Sequence, residues 1–335
     1  MLRLNNNPTF WERVISCLDN ALNRIFYQYY ILPRADKIMK EKFGDDIQSL
    51  KEIEKNMSLI LVTKNVVLNS IIPNVPRVIE MSGTHINPKK SLPTDIKEFL
   101  DKSSKGVVYF SLGSSSLTFS VARRIRQPNF IPETVKNIPY DVLWRVDTNE
   151  TGPLQNNIMA KTWFPQQDIL GHPNLKVFVT QAGFQSLEEA IFNAVPVVAL
   201  PILGDQHQNT FKVVEKGFGK YVEIETATKE EIIEAIVEVA ENPNYRFKAR
   251  EMSKIIKDHP MTGLEKATWW IEYVIRHKGF YLKDHAGEIP LYQYLLLDII
   301  GFCFVTVVIL IYAYLKLIKI IRNLYILYKN KFKTD

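Results

Sequence analysis

The fold of this chain is indicated most clearly between Trp163 and Asn209, where two short apolar runs flank a helical segment. The runs are 176–180 (KVFVT) and 196–201 (PVVALP), and their β-branched residues predict buried parallel strands. Between them, Ser186 is followed three residues later by Glu189, a spacing that predicts a capped helix start. The stretch is therefore expected to form a strand, a helix and a second parallel strand.

A turn of small residues, Gln181-Ala182-Gly183, joins the first strand to the helix. The first N–H groups of a helix point beyond the carboxyl end of the preceding strand, and small residues let a phosphate approach them. After the second strand, Asp205 and Gln206 place an acid and an amide on the same rim. Upstream, Trp163 offers an indole for stacking on a base, and Gln166 offers an amide for pairing with it. The pattern predicts a nucleotide site.

The order of these residues resembles the signature of the UDP-glucuronosyltransferase family of UDP-sugar transferases (UDP-glycosyltransferases), which runs W-x-P-Q, H-P, T-H-x-G-x-x-S-x-x-E and D-Q-x-x-N. The matching positions here are Trp163, Pro165, Gln166, His172, Pro173, Thr180, Gly183, Ser186, Glu189, Asp205, Gln206 and Asn209. The chain departs from the pattern at Gln181, where the family has His, and at Ala182, where it has Gly. Gln181 keeps a hydrogen-bond donor but cannot carry positive charge. The Gln form resembles insect members.

The resemblance implies that a UDP-sugar is the donor substrate, with no metal or other cofactor. Trp163 would stack on uracil, Gln166 would bond to the edge of the base, and Glu189 would bind the ribose hydroxyls. The groups implied to hold the diphosphate are Ser114, Gln181, Gln185, Ser186 and the backbone of Gly183. Asp205 and Gln206 would bind hydroxyls of the sugar.

Strands that alternate with helices elsewhere predict a parallel α/β sheet. Further strands are expected at 58–63, 77–81, 106–114, 142–146 and 158–162, and further helices after Thr228 and over 264–277. The resemblance implies the Rossmann-like C-terminal half of the two-domain GT-B glycosyltransferase fold, with a partial N-terminal domain. Because prolines are dense between Ser115 and Tyr140, this segment is expected to be irregular.

The predicted domains are a remnant of the acceptor-binding N-terminal domain (1–82), a linker (83–105), a UDP-sugar-binding domain (106–290), a transmembrane helix (291–315) and a basic cytosolic tail (316–335). In the family, the acceptor pocket lies upstream of this part, as do the His that acts as general base and the Asp that partners it. No residue of this chain matches them, so no catalytic residue is assigned. Within 11–30, a helical apolar stripe predicts a surface helix that buries one face, with a partner-binding helix as the alternative.

Residues 292–315 are predicted to span a membrane, because they would rise about 36 Å as a helix and contain only one charge, Asp298. Tyrosines at both ends match interfacial aromatic belts, and a buried helix of a soluble protein is the alternative. The basic residues from Lys316 onward place the tail in the cytosol by the positive-inside rule.

Lys331 and Lys333 near the C-terminus resemble the dilysine retrieval signal of endoplasmic-reticulum membrane proteins. The predicted location is therefore the endoplasmic reticulum membrane, single-pass, with a lumenal body, which the sequons at Asn56 and Asn149 fit. The N-terminus shows no apolar segment before a small-residue cleavage site. Tail-anchored insertion, which would leave residues 1–290 in the cytosol, is the alternative.

Charge and cysteine usage exclude other classes of function. The net charge of +6 resides mostly in residues 316–335, so the rest of the chain is nearly neutral and a nucleic-acid surface has no support. Cys17 and Cys303 lie far apart, and the histidines show no ligand spacing, so neither a disulfide framework nor a metal site is expected.

The predicted function is transfer of glucose or glucuronic acid, from UDP-glucose or UDP-glucuronate, to a hydroxyl of a small lipophilic acceptor. Partners would also include the membrane and other transferase subunits in a homo- or hetero-oligomer. One alternative is an inactive short form that binds UDP-sugar or pairs with full-length subunits. A nicotinamide-type Rossmann protein is a second alternative, which the lack of G-x-G-x-x-G after a strand disfavours.

Overall fold

The computed structural model describes residues 9–69, 74–113, 129–146, 151, 153–279, 282 and 289–331. The chain divides into two compact units. The first comprises Met1–Ile47 and Ser58–Tyr281, and the second comprises Gln48–Met57 and Leu282–Asp335. The predicted nucleotide site belongs to the first unit.

Eight strands are described, all in the first unit. They are β1 (Ile60–Thr63), β2 (Val78–Met81), β3 (Val107–Ser111), β4 (Asp141–Arg145), β5 (Ile158–Lys161), β6 (Leu175–Thr180), β7 (Val197–Ala199) and β8 (Gly219–Tyr221). β1 and β2 form a parallel pair, and the others form a parallel sheet in the order β5-β4-β3-β6-β7-β8. The winding direction reverses between β3 and β6. Ligands of doubly wound sheets bind at this reversal, outside the carboxyl ends of the strands.

The structure describes ten α-helices in the first unit. They are α1 (Phe10–Phe26), α2 (Leu32–Phe43), α4 (Thr94–Lys102), α5 (Phe130–Lys136), α6 (Gln166–Leu170), α7 (Phe184–Phe192), α8 (Gln206–Lys216), α9 (Lys229–Glu241), α10 (Pro243–Lys257) and α11 (Gly263–His277); α3 (Leu50–Asn56) belongs to the second unit. The helix predicted after Thr228 is confirmed as α9, which begins with a capping box formed by Thr228 and Glu231.

Two apolar clusters sandwich the six-stranded sheet because alternate strand residues face opposite sides. Tyr109 and Phe178 point to one side and stack with ring centroids 5.1 Å apart. Val108 and Phe110 point to the other side, where α5 and α9 pack. Burial on both faces explains why these strands are continuous apolar runs. The strands predicted from the sequence are confirmed, whereas β8 was missed because its residues, Gly-Lys-Tyr, carry no apolar run.

Two local predictions were wrong. Residues 130–136 form a helix rather than an irregular segment, because Pro132 falls in the first turn, where proline removes no intrahelical hydrogen bond; residues 115–128 lie outside the described part. The helix after β6 begins at Phe184 with Gly183 as its N-cap, so Ser186 and Glu189 do not form its capping box. Both side chains instead line a cavity that is described below.

The N-terminal segment differs from expectation in its packing. α1 continues through a π-helical turn, Tyr27–Ile31, into α2. Within the residues that the structure describes, α1 buries none of its side chains, and Trp11 is 69% exposed. The expected burial of one apolar face is therefore absent from the described part of this chain.

The second unit contains the apolar C-terminal helix. A short helix, α12 (Leu291–Tyr294), is followed by a break at Leu296, whose φ is +54°, and then by α13 (Leu297–Lys331). Residues Leu297–Ile326 are long and apolar enough to cross a membrane, with a mean hydropathy of 2.3. The helix thus starts later than the predicted span at Tyr292 and runs on past Lys316 without interruption.

Candidate functional site

A cavity of about 530 Å³ opens at the carboxyl edge of the six-stranded sheet, within the size range of small-molecule sites. Three elements converge on it: the ends of the central strands, the loop after β5 with α6, and the first turns of α7. The residues that line it are Asn87, Pro88, Lys90, Tyr109, Ser111, Gly113, Arg145, Trp163, Phe164, Pro165, Gln166, Gln167, Asp168, Gln185, Ser186 and Glu189. The cavity therefore lies where the topology predicts a ligand.

Trp163 forms an exposed aromatic wall of the cavity. Its side chain follows β5 and is 68% exposed, unusual for an indole. The guanidinium carbon of Arg145, at the end of β4, lies 5.7 Å from the centroid of the indole ring, within cation–π range. Arg145 also donates to the carbonyl oxygen of Gly113, and its Nε is buried without a hydrogen-bond partner among the described residues. An aromatic face and a cation thus meet at the mouth of the cavity.

Glu189 supplies a carboxylate held by two amides. Nε2 of Gln166 donates to Oε2 of Glu189 over 2.6 Å and lies 3.2 Å from Oγ of Ser186. Nε2 of Gln167 donates to Oε1 of Glu189 over 3.0 Å. Since Glu189 is only 8% exposed, these bonds offset part of its lost hydration. They fix a hydrogen-bond acceptor beside the aromatic wall.

The N-terminus of α7 supplies donors. Gly183 is extended at the N-cap, with no side-chain cap, so the N–H groups of the first turn have no intrahelical acceptor. Gln185 and Ser186, in this turn, line the cavity. Free N–H groups and the positive end of the helix dipole favour an anion at this position.

Gly113 and Gln181 pack against each other at the switch point between β3 and β6. Gly113 has a φ of +85°, and a Cβ added there would lie 2.1 Å from Nε2 of Gln181. Only glycine fits, because a side chain would meet both backbone strain and a steric clash. Oε1 of Gln181 is buried with no hydrogen-bond partner in the described part of the chain.

The D-Q-x-x-N segment supports the turn after β6 from outside the cavity. Nδ2 of Asn209 donates to Oδ2 of Asp205 over 2.8 Å and to the carbonyl oxygen of Ala182 over 3.0 Å. Ala182 has a φ of +63°, which is strained for a residue with a side chain. Oε1 of Gln206 accepts from the backbone N–H groups of Ile202 and Leu203. In this structure Asp205 and Gln206 therefore shape loops.

The structure brings five of the predicted site residues to the cavity lining: Trp163, Gln166, Gln185, Ser186 and Glu189. Gln181, Gly183, Asp205 and Gln206 are not among the lining residues, and Ser114 lies outside the described part of the chain. The roles assigned to all ten stay predictions.

Sequence reasoning missed Arg145, Gln167 and Lys90. Arg145 lies near the end of the strand predicted over 142–146 and is the last residue of β4, a position that marks the ligand-facing edge of a parallel sheet. Gln167 adjoins the W-x-P-Q motif, but nothing in the sequence shows that its amide reaches Glu189. Lys90 comes from a distant loop, where its backbone N–H donates to Oδ1 of Asp168 over 2.8 Å.

Two further properties describe the chemistry of the lining. Burial raises the pKa of Tyr109 to about 12, so its phenol stays neutral in the cavity wall at neutral pH. Across the described ranges, no group of three His, Cys, Asp or Glu residues could hold a metal ion. The lining offers aromatic surface, hydrogen-bond donors and cationic side chains.

Comparison with known proteins gives the relatives of this chain. Residues 1–332 match the profile of the family described as UDP-glucoronosyl and UDP-glucosyl transferase. The chain is 37% identical over 315 residues to UDP-glycosyltransferase UGT5 of Dactylopius coccus, covering 92% of this chain and 59% of that protein. It is 34% identical over 336 residues to UDP-glucuronosyltransferase 2B17 of Mus musculus, covering 99% of this chain and 62% of that protein.

Among solved structures, the glycotransferase of kitacinnamycin aligns with a TM-score of 0.52 at 22% identity, covering 79% of this chain and 66% of that chain. The predicted fold is confirmed: an α/β unit with the architecture of a GT-B glycosyltransferase and one long apolar C-terminal helix. The chain spans about three fifths of the length of the curated relatives described above.

Proposed function

The chain belongs to the UDP-glucoronosyl and UDP-glucosyl transferase family, and we propose on this premise that its cavity binds the uridine diphosphate of a UDP-sugar donor. One observation carries the proposal. The exposed indole of Trp163, the amide-held carboxylate of Glu189 and the open N-terminus of α7 line a single cavity. These three groups match a base, a ribose and a diphosphate in the order in which a nucleotide presents them.

In the proposed pose, uracil stacks on Trp163 and the ribose hydroxyls donate to Glu189. Gln166, already bonded to that carboxylate, keeps one amide oxygen for the nucleoside. The diphosphate lies at the first turn of α7, and Arg145, a lining cation beside Trp163, would contact it. Gln181 and the Gly183 backbone, with Ser114, complete the proposed phosphate contacts, and Asp205 and Gln206 remain the proposed sugar contacts.

The proposed reaction is displacement at the anomeric carbon of glucose or glucuronic acid by the hydroxyl of a small lipophilic acceptor. As the glycosidic bond breaks, negative charge develops on the leaving diphosphate, and the N-terminus of α7 with Arg145 would stabilise it. A general base must take the proton of the acceptor hydroxyl. The family resemblance puts that base upstream of the residues present here.

We further propose the domain division given above, with α13 as the membrane anchor of a chain whose body lies in the lumen of the endoplasmic reticulum. The apolar Leu297–Ile326 and the basic residues that follow Leu315 support an anchored topology. Glycan attachment at Asn149 of the expressed chain would support the lumenal body, and a chain that stays unmodified while membrane-inserted would favour tail anchoring.

Competition binding tests the nucleotide proposal. Radiolabelled UDP-glucose bound to the purified full chain in detergent should be displaced by UDP and UDP-glucuronate, whereas NAD at the same concentration should leave it bound. Displacement by NAD and UDP alike would contradict the proposal.

A transfer assay separates the enzyme from the non-catalytic alternative. Sugar transfer to phenolic acceptors by the chain alone supports a complete enzyme. Binding without transfer, together with co-purification of a full-length family member, supports a UDP-sugar-binding or subunit-pairing role.

A further inference from the structure

We infer that His85, outside every motif recognised in the sequence, is a positioning residue that orients the carboxylate of Glu189 toward the ribose of the donor. The inference rests on the nucleotide site proposed above. His85 follows β2 and Gly83, in the segment that leads into the main sheet, and it contacts α7 rather than lining the cavity itself. Its ring lies between two adjacent carboxylates of α7, those of Glu188 and Glu189.

The surroundings of Glu188 indicate that a hydrogen-bond donor belongs beside its carboxylate. Its side chain is 0% exposed, so its carboxylate has lost all contact with water. Oε1 accepts from Nδ2 of Asn65 over 3.1 Å and from Oγ of Ser82 over 3.0 Å. Oε2 has no hydrogen-bond partner among the described residues. A buried carboxylate oxygen without a hydrogen-bond donor is energetically costly, so we expect a donor close to Oε2.

The ring of His85 presents that donor. Its Nδ1 is also buried without a hydrogen-bond partner among the described residues, and it lies 3.9 Å from Oε2 of Glu188. The two unpartnered atoms therefore face each other. On the other side of the ring, Nε2 lies 3.5 Å from Oε1 of Glu189 and 3.3 Å from the carbonyl oxygen of Gln185. Nδ1 thus faces Glu188 and Nε2 faces Glu189, so the ring lies between the two carboxylates.

The backbone around His85 holds Glu189 by a second route. The carbonyl oxygen of His85 accepts from Nε2 of Gln167 over 2.9 Å, and the N–H of Asn87 donates to Oε1 of the same amide over 3.0 Å. Both ends of the Gln167 amide are thus fixed by one short segment. That amide donates to Oε1 of Glu189, the oxygen that the His85 ring also faces.

The two carboxylate oxygens of Glu189 contact different segments of the chain. Oε1 accepts from Gln167 and lies 3.5 Å from Nε2 of His85, whereas Oε2 accepts from Gln166 of the W-x-P-Q loop. With the ring removed, Oε1 of Glu189 loses its imidazole neighbour, and Glu188 loses the only imidazole beside it in the described part of the chain. The carboxylate of Glu189 then gains rotational freedom, and the ribose hydroxyls lose a fixed acceptor, while contacts to base and diphosphate are untouched.

The test compares UDP with 2′,3′-dideoxyuridine diphosphate, which lacks the ribose hydroxyls. Affinities for both are measured by titration calorimetry with the full chain in detergent, for the wild type, His85→Ala and His85→Asn. His259→Ala is the matched control, because His259 is exposed and does not line the cavity. The wild type is expected to prefer UDP by about tenfold or more, the effect of hydrogen bonds to a charged group.

His85→Ala is expected to reduce that preference to about twofold or less through weaker UDP binding, with dideoxy-UDP affinity unchanged. His259→Ala should keep the wild-type preference. If the alanine variant does not fold, His85→Asn gives the answer, since its amide can serve Glu188 but is too short to face Glu189 as well. A folded variant that keeps the wild-type preference, or that loses affinity for both nucleotides equally, overturns the inference. A wild type that binds neither nucleotide overturns the proposed function, and this inference falls with it.

Discussion

The side-chain amide of Gln166 donates to Oε2 of Glu189 over 2.6 Å, and this bond ties the loop after β5 to the helix after β6. The two residues lie in helices that follow β5 and β6, strands on opposite sides of β3 in the sheet order, so the bond spans the topological switch point. Two sequence motifs separated along the chain thereby become one surface. Their convergence gives the cavity both an aromatic wall and an oriented acceptor.

Trp163→Ala is expected to weaken UDP binding by tenfold or more, because stacking of a base on an aromatic side chain contributes about 1–3 kcal/mol. Quenching of tryptophan fluorescence on addition of UDP should also disappear. Trp269→Phe is the control, since Trp269 lies on α11 outside the cavity lining and should leave both signals unchanged. Undiminished quenching in the Trp163 variant would contradict the stacking role.

Arg145→Met should weaken binding of UDP by tenfold or more while leaving uridine binding nearly unchanged, because the guanidinium acts on the phosphates and contributes about 1.5–3 kcal/mol as a charged donor. Calorimetric titrations with UDP and uridine, each at two salt concentrations, measure the difference. Equal losses for the two ligands would show that Arg145 acts through Trp163 rather than on the diphosphate.

Gly113→Ala should lower the free energy of unfolding by about 2–4 kcal/mol, because backbone strain at positive φ and a clash with Gln181 act together. Gly204→Ala is matched to it, having a φ of +65° with nothing within 4 Å of the added Cβ. That control should show only the backbone contribution, about 1–2 kcal/mol. Denaturant unfolding in detergent measures both, and equal losses would refute the proposed close packing of Gln181 on Gly113.

Replacing Lys331 and Lys333 with serine should release the chain from the endoplasmic reticulum to later compartments, because a dilysine retrieval signal requires both charges. Fluorescence microscopy of tagged chains in cultured cells provides the measurement. Replacing Lys316 and Lys319, basic residues of the same tail, controls for charge alone and should leave the location unchanged. Retention of the doubly substituted chain would show that these lysines are not the signal.

Much of the architecture could be read from the sequence because buried parallel strands are apolar runs that need no knowledge of their neighbours. Runs such as 176–180 and 196–201 fall in this class, and β6 and β7 follow them closely. The start of α7 could not be read in the same way. Ser186 and Glu189 have the spacing of a capping box, yet both side chains accept hydrogen bonds from glutamines of α6 instead.

Residues that join the site from distant segments could not be predicted from the sequence for a related reason. Nothing local marks His85 or Gln167, because their roles arise only where the segment after β2 meets α6 and α7. Conversely, Gln206 matches a motif associated with the sugar, but in this structure its side chain is bonded to the backbone of its own loop. Motif spacing thus indicated the cavity better than it indicated how each side chain is used.

A crystal structure of the chain bound to UDP would decide whether the cavity is the nucleotide site. We expect a uracil ring stacked on the indole of Trp163, a ribose hydroxyl within hydrogen-bond distance of Glu189, and the diphosphate at the first turn of α7. A nucleotide bound away from these three groups, or a soaked crystal with an empty cavity at saturating UDP, would contradict it.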